Sequence, residues 1–211
     1  MDSTFWLRCV RRTTFCHFSQ HAEQFDDDSV VVYQAYKPSI AAGIVAKQSF
    51  VDVAEFSQTR MTWVKTNFLW MMFRCGWAAK HNQERVLAIW IKRAAFERLL
   101  TLARTHGSVN GETVRLQWDP DHLPNGDSHP YRRAVQLGLK GIERFLNGQD
   151  LLRIEDVTPF VLEQGKIAED SKRWGELLVA RERVFVPRHV RAADLAQLEL
   201  ATPPKEKEAL E

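Results

Sequence analysis

The chain has 211 residues, 45% of them hydrophobic and 27% charged, with a net charge of +2. That suffices for one domain with a sizeable core. It excludes a general polycation, so any anion site must come from local clustering. No apolar run approaches the roughly 20 residues of a membrane helix. The three cysteines, Cys9, Cys16 and Cys75, lack metal-site spacing and point to free thiols in a reducing compartment.

Residues 1–27 begin with a stretch, "STFWLRCVRRTTFCHFSQHA", that holds three arginines and no acid. This is the composition of a mitochondrial transit peptide, but Asp2 and the missing amphipathic period favour a flexible basic leader on a cytoplasmic protein. Val30–Tyr36 is a β-branched block and reads as a buried strand. Pro38 opens a short helix to about Gln48. "QTRMTWV" is a second strand, after which Thr66 is the expected N-cap of a helix reaching Ala78. Cys75 on that helix reads as a small buried hydrophobe. "ERVLAIWI" is a continuous apolar strand, and "KRAAFERLLTLART" an amphipathic helix ended by "HG".

"ETVRLQW" alternates with period two and puts Val114, Leu116 and Trp118 on one face. A twelve-residue loop, "DPDHLPNGDSHP", then leads into the strand "YRRAVQLGL", which implies a hairpin. "KGIERFLNGQ" is a short helix and "LLRIEDV" a strand. "TPFVLEQGKIAED" is a helix with Thr158 as N-cap and Pro159 at its first position, and "ELLVARERVFVP" a final extended segment. The order mixes strands and helices without strict alternation, which predicts an α+β fold: one domain over residues 28–190, with helices packed on a mainly antiparallel, single or split sheet. Residues 191–211 read as a charged, solvated tail.

The stretch Thr59–Ala78, "TRMTWVKTNFLWMMFRCGWA", holds three tryptophans, three methionines and two phenylalanines beside Arg60, Lys65 and Arg74, with no acid. Phe68, Leu69, Met72 and Phe73 have the spacing of a buried stripe. Thr62, Lys65, Thr66 and Asn67 gather where the positive end of the helix would hold an anion, though the glycines of a P-loop are missing. Asp119, Asp121, His122, Asp127 and His129 are metal-capable, but turn chemistry accounts for them and no metal is expected. On the later strand Arg133, Val135 and Leu137 share one face and Arg132, Ala134 and Gln136 the other, while Gly138 and Gly141 permit close approach. Tyr33 and Gln34 point to opposite faces of the first strand.

"VYQAYKPSIA", "RMTWVKTNFLWMMFRCGWA", "NQERVLAIWIKRAAFE", "VRLQWDPDH", "RRAVQLGLKG" and "ERVFVP" occur in order, and together they resemble family four-two-nine-one of the domains of unknown function. The resemblance spans about residues 28–190 and implies one cytosolic-type domain without an assigned activity. A more distant resemblance, to ADP-ribosyltransferases, rests on "VVYQAY" followed by "MTWVKTNFLW". It implies a nicotinamide pocket in which Gln34 stands where that family has His or Arg, with Thr62 or Trp63 on the second strand and Gln136 or Glu143 as the late group.

The expected function is binding of a nucleotide-type small molecule, with NAD the candidate cofactor. Gln34 and Gln136 would be the catalytic amides, catalysis being positional and electrostatic. Trp63 would stack a planar ring, and Arg60, Lys65, Thr62, Thr66 and Arg133 would hold the rest of the cofactor. The alternative is a non-catalytic domain that binds single-stranded nucleic acid or another protein, since basic and aromatic residues interleave.

Overall fold

In the computed structural model the described residues are 28–107, 111–180, 182, 185, 187 and 188. The basic leader and the charged tail expected from the sequence lie outside them. Seven strands form one sheet: β1 (Ser29–Tyr36), β2 (Thr62–Lys65), β3 (Arg85–Lys92), β4 (Ala103–Arg104), β5 (Thr113–His122), β6 (Ser128–Lys140) and β7 (Leu151–Asp156), in the order β4-β5-β6-β2-β1-β3-β7. Every pairing is antiparallel except β4 with β5. The fold is therefore α+β on a mainly antiparallel sheet, and the sheet is not split.

The apolar blocks of β1 and β3 are continuous because both faces of the sheet are covered. Val30 and Val32 of β1 and Leu87, Ile89 and Ile91 of β3 face one core with α1 (Pro38–Lys47), α3 (Arg93–Leu102) and α4 (Glu143–Leu146). Val31 and Tyr33, with Val86, Ala88 and Trp90, face a second core against α2 (Phe68–Cys75) and α5 (Thr158–Ala168). Period-two alternation supplies both cores from the same two strands. Phe185 is fully buried in the first core, edge-on to Phe96, while Leu178, Val179 and Ala180 pack against the second. Of the expected final extended segment, Leu177–Ala180 has no regular structure and Phe185 forms an isolated bridge.

Several expected boundaries move. The second strand is only Thr62–Lys65, and Asn67, not Thr66, caps α2: its Oδ1 accepts from the Trp70 N–H at 2.8 Å. Thr66 instead donates its hydroxyl to the Val135 carbonyl at 2.7 Å, stitching β2 to β6. The helix stops at Cys75 because Gly76 enters the left-handed region at φ 58°, where an L side chain is strained. Cys75 is buried as expected. Helix α3 ends at Leu102, before "HG", because Ala103 and Arg104 join the sheet as β4. Val157 caps α5; Thr158 is already helical, and its Oγ1 accepts from the Val86 N–H.

The largest departure is the hairpin. The expected twelve-residue loop is mostly sheet: β5 runs through His122 and β6 begins at Ser128. Leu123–Asp127 makes the turn, closed by the Leu123 N–H on the Asp127 carbonyl and the Gly126 N–H on the Leu123 carbonyl. Asp127 and Asn125 bond each other inside it, which is the turn chemistry read from the sequence.

Candidate functional site

Strand β1 meets the central strand β2 through the matched pair Tyr33–Lys65. Beyond that pair side chains complete the seam. The Gln34 amide nitrogen donates to Thr62 Oγ1 at 2.7 Å and to the Trp63 carbonyl at 3.0 Å, and the Tyr36 hydroxyl lies 3.1 Å from Thr62 Oγ1. Gln34 is 3% exposed, and its Oε1 has no hydrogen-bond partner among the described residues. Burial raises the pKa of the Tyr36 phenol and holds it neutral.

On the other side of β2, Lys65 and Gln136 are matched across the β2–β6 ladder, and Gln136 is matched to Gln117 across β5–β6. The Lys65 ammonium donates to Gln136 Oε1, and Gln136 Nε2 donates to Gln117 Oε1 at 2.9 Å. Lys65 Nζ also lies 4.4 Å above the Trp70 ring and 5.5 Å from that of Trp63. Trp63 can cross β6 because its ladder partner is Gly138: a Cβ there would stand 2.6 Å from Met61 Sδ and 3.0 Å from Trp63 Cε2.

Together with Arg74 and Gln83, these side chains line an open cleft of about 580 Å³. The described lining residues include two basic side chains, Lys65 and Arg74, and no carboxylate. Lys65 is only 7% exposed. Burial pushes its pKa down to about 7, against the pull of Asp119 and with the push of Arg74. Burial likewise raises the carboxyl of Asp119, although Lys65, His122, Gln136 and Arg133 all favour its ionised form. One oxygen of that carboxyl, Oδ2, is buried without a hydrogen-bond partner among the described residues. Next to it His122 stacks on Phe73, ring centroids 3.9 Å apart, and burial lowers its pKa.

A sequence profile for the domain of unknown function DUF4291 matches residues 20–185. The chain belongs to the DUF4291 family. Comparison with curated proteins found no match, and comparison with solved structures found none either. No helix among the described residues is long and apolar enough to cross a membrane.

In this DUF4291 chain the structure brings five of the expected site residues to one cleft: Gln34, Thr62, Trp63, Lys65 and Gln136. It does not bring the other three. Arg60 and Arg133 are exposed and outside the lining, and Thr66 is fully buried against β6. Glu143, the other late candidate, is exposed at the start of α4.

The expected anion seat at the start of α2 already holds an anion. Glu182 accepts from the Phe68 N–H at 2.6 Å through Oε1 and from the Asn67 side-chain amide through Oε2. A carboxylate from the same chain therefore complements the positive end of this helix. The expected apolar stripe of α2 is also rotated: Phe68 and Met72 are buried, Leu69 is half-buried, and Phe73 is 45% exposed, while Trp70 and Met71 turn inward.

Sequence reasoning missed Tyr36, Trp70, Gln83 and Gln117 as lining residues, and assigned Arg74 and Asp119 no role in this cleft. Arg74 had a signal, since it lies in the acid-free aromatic stretch. Gln117 and Asp119 had one only through the hairpin register, which a bulge between Pro120 and His122 shifts.

Proposed function

We propose that the cleft binds a phosphorylated, ring-bearing small molecule of nucleotide type, with NAD the leading candidate, in the manner of an ADP-ribosyltransferase-like pocket. The observation that carries this reading is the lining: Lys65 and Arg74 stand beside Trp63 and Trp70 with no carboxylate among the described lining residues. Aromatic faces suit a planar ring. An arginine, charged at any working pH, suits a phosphate. The amides of Gln83, Gln117 and Gln136 and the Thr62 hydroxyl suit ribose hydroxyls. A cavity of about 580 Å³ falls in the usual range for a small-molecule site.

In this reading Arg74 takes the phosphate role expected of Arg60. Trp63 keeps the stacking role, and Gln136 faces the ribose. Gln34 acts from behind: its amide nitrogen is already bonded to Thr62 and to the Trp63 carbonyl, so it fixes the groups that touch ligand.

A thermal-shift and calorimetry series with NAD, ADP-ribose, ATP and a short oligo(U) RNA tests the proposal. Ligand at a hundredfold over Kd stabilises by about 2.7 kcal/mol. NAD or ADP-ribose is expected to raise the melting temperature, and Arg74→Met to abolish that shift while keeping the fold. Binding of oligo(U) alone would turn the assignment to single-stranded nucleic acid. No shift with any of the four overturns it.

A further inference from the structure

We propose that Lys65 is a nucleophile that forms an imine with the carbonyl carbon of a phosphorylated sugar bound in the cleft. The inference rests on the reading of this cleft as a small-molecule site and names a covalent step open to ligands with a free anomeric carbon, such as ADP-ribose; NAD, with both anomeric carbons substituted, would bind without it.

The side-chain environment points to an amine, not a structural cation. A lysine buried for stability is paired with a carboxylate, because an unpaired ammonium in the interior is costly. Lys65 is 7% exposed, yet its hydrogen-bond acceptor is the neutral amide of Gln136. A neutral amine satisfies that acceptor with one N–H and keeps its lone pair. The nitrogen sits over the Trp70 ring, and both residues line the cleft that would hold the ligand. The charged groups that act on it are Asp119 from β5, which favours the ammonium, and Arg74 from α2, which opposes it; burial is the larger influence and brings the pKa to about 7. A large share of the amine is therefore unprotonated near neutral pH, unlike an ordinary lysine.

The same wall says what carbonyl compound fits. Gln83, Gln117 and Gln136 present amide groups, which read hydroxyls, and Arg74 offers a charge for phosphate. An aldose phosphate, or a nucleotide whose terminal ribose has a free anomeric carbon, carries all three features. Its open-chain form provides the aldehyde.

The step balances without a cofactor. The Lys65 lone pair attacks the carbonyl carbon, the C=O π pair moves to oxygen, and a proton passes from nitrogen to that oxygen to give the carbinolamine. Solvent, which reaches the open cleft, protonates the hydroxyl. The nitrogen lone pair expels it as water, and the proton on nitrogen returns to solvent. Amine and aldehyde give imine and one water, and hydrolysis reverses the step.

The test uses the full chain at pH 7 with ADP-ribose, and separately ribose 5-phosphate, in the presence of sodium cyanoborohydride. Its hydride reduces the iminium to a stable secondary amine, and peptide mapping locates the sugar. Lys80, Lys92 and Lys140 are exposed and serve as internal controls in the same sample. Lys65 is expected to be modified at least about tenfold faster than these three, because its pKa of about 7 leaves much of its amine free and the cleft holds the sugar beside it, and its rate should saturate with sugar concentration. A Lys65 that reacts no faster than the controls overturns the proposal. If NAD then still binds, the nucleotide reading of the cleft stands and only the covalent chemistry fails. If Lys65 is selectively modified while NAD and ADP-ribose give no thermal shift, the nucleophile stands and the nucleotide reading falls to a simple sugar phosphate.

Discussion

Lys65 and Gln136 are direct partners across the β2–β6 ladder, and the lysine nitrogen donates to the glutamine oxygen. The pair places a buried amine against a neutral acceptor, and this gives stability a defined pH dependence. An ordinary lysine titrates at 10.5, whereas Lys65 in the folded chain titrates at about 7. Between those values the unfolded chain holds a proton that the folded chain lacks, so stability rises with pH. Below about 7 both states are protonated and the cost of the buried ammonium is fully present. The useful window is pH 7 to 8. His122, lowered by burial, adds a climb of the same sign only below its ordinary 6.5, and Cys75, raised by burial, opposes the climb only as pH approaches 9.0, where its thiol ionises in the unfolded chain. Urea unfolding in that window is expected to show stability climbing by up to about 1.4 kcal/mol per pH unit. Lys65→Met should flatten the climb. A variant as steep as the parent would show that another group is responsible.

Gln34 links β1 to β2 with two side-chain bonds, one to Thr62 Oγ1 and one to the Trp63 carbonyl. Gln34→Met keeps the shape and removes both. Leaving buried polar groups without partners costs about 1–3 kcal/mol, which equilibrium unfolding would measure. Thr62 retains Tyr36, so the Trp63 carbonyl bears most of the loss. The variant is also expected to weaken any ligand that stacks on Trp63. Full stability in Gln34→Met would mean that the seam is held by the backbone alone.

The strands that could be read from the sequence are those whose two faces are both buried. Val30–Val32 and Val86–Ile91 are uninterrupted apolar runs, and β1 and β3 fall within a residue of expectation. The start of α2 was less legible. Thr66 and Asn67 are both good caps by residue type, and only the Val135 carbonyl, 69 positions away, decides that Thr66 is used elsewhere. The hairpin was the hardest. "NG" at residues 125–126 marks the turn correctly, but Asp, Pro and His before it look like loop. Their place in β5 depends on the pairing with β6, and the bulge between Pro120 and His122 changes the register beyond it. The five expected residues that share the cleft come from three strands. Local patterns named them, and only the sheet order β6-β2-β1 made them neighbours. Lys65, expected to hold part of the cofactor, lines the cleft while almost wholly buried.

Gly138 tests whether the tryptophan wall matters. An added methyl group would overlap Met61 Sδ at 2.6 Å and crowd Trp63 at 3.0 Å. Met61 is flexible enough to yield, whereas the indole must tilt toward the cleft. Overpacking of this kind costs about 1–3 kcal/mol. Gly138→Ala is therefore expected to fold with a lower melting temperature, and to lose ligand affinity by more than its stability loss alone would give. Unchanged affinity for every nucleotide tested would remove Trp63 from the binding surface.

The segment from Leu177 to Arg188 separates a structural role from a disposable one. Glu182 bonds the first turn of α2, Phe185 is fully buried in the first core, and the Arg188 N–H donates to Glu97 Oε1 at 3.0 Å. Each contact joins this late segment to an element more than 90 positions earlier or to a core built from the whole sheet, so it completes the fold. Phe185→Ala is expected to cost about 3–5 kcal/mol, since a large side chain leaves a cavity. Glu182→Gln should cost about 0.5–2 kcal/mol, because it weakens a charged cap at a helix N-terminus. Truncation after residue 200 removes a charged sequence whose one large apolar side chain is Leu210, and its melting temperature is expected to stay within about a degree or two of the parent, the scatter of surface changes. Differential scanning calorimetry on the three variants ranks them. Should the truncation be as damaging as Phe185→Ala, residues beyond 200 would have to make contacts of the same weight as a buried phenylalanine.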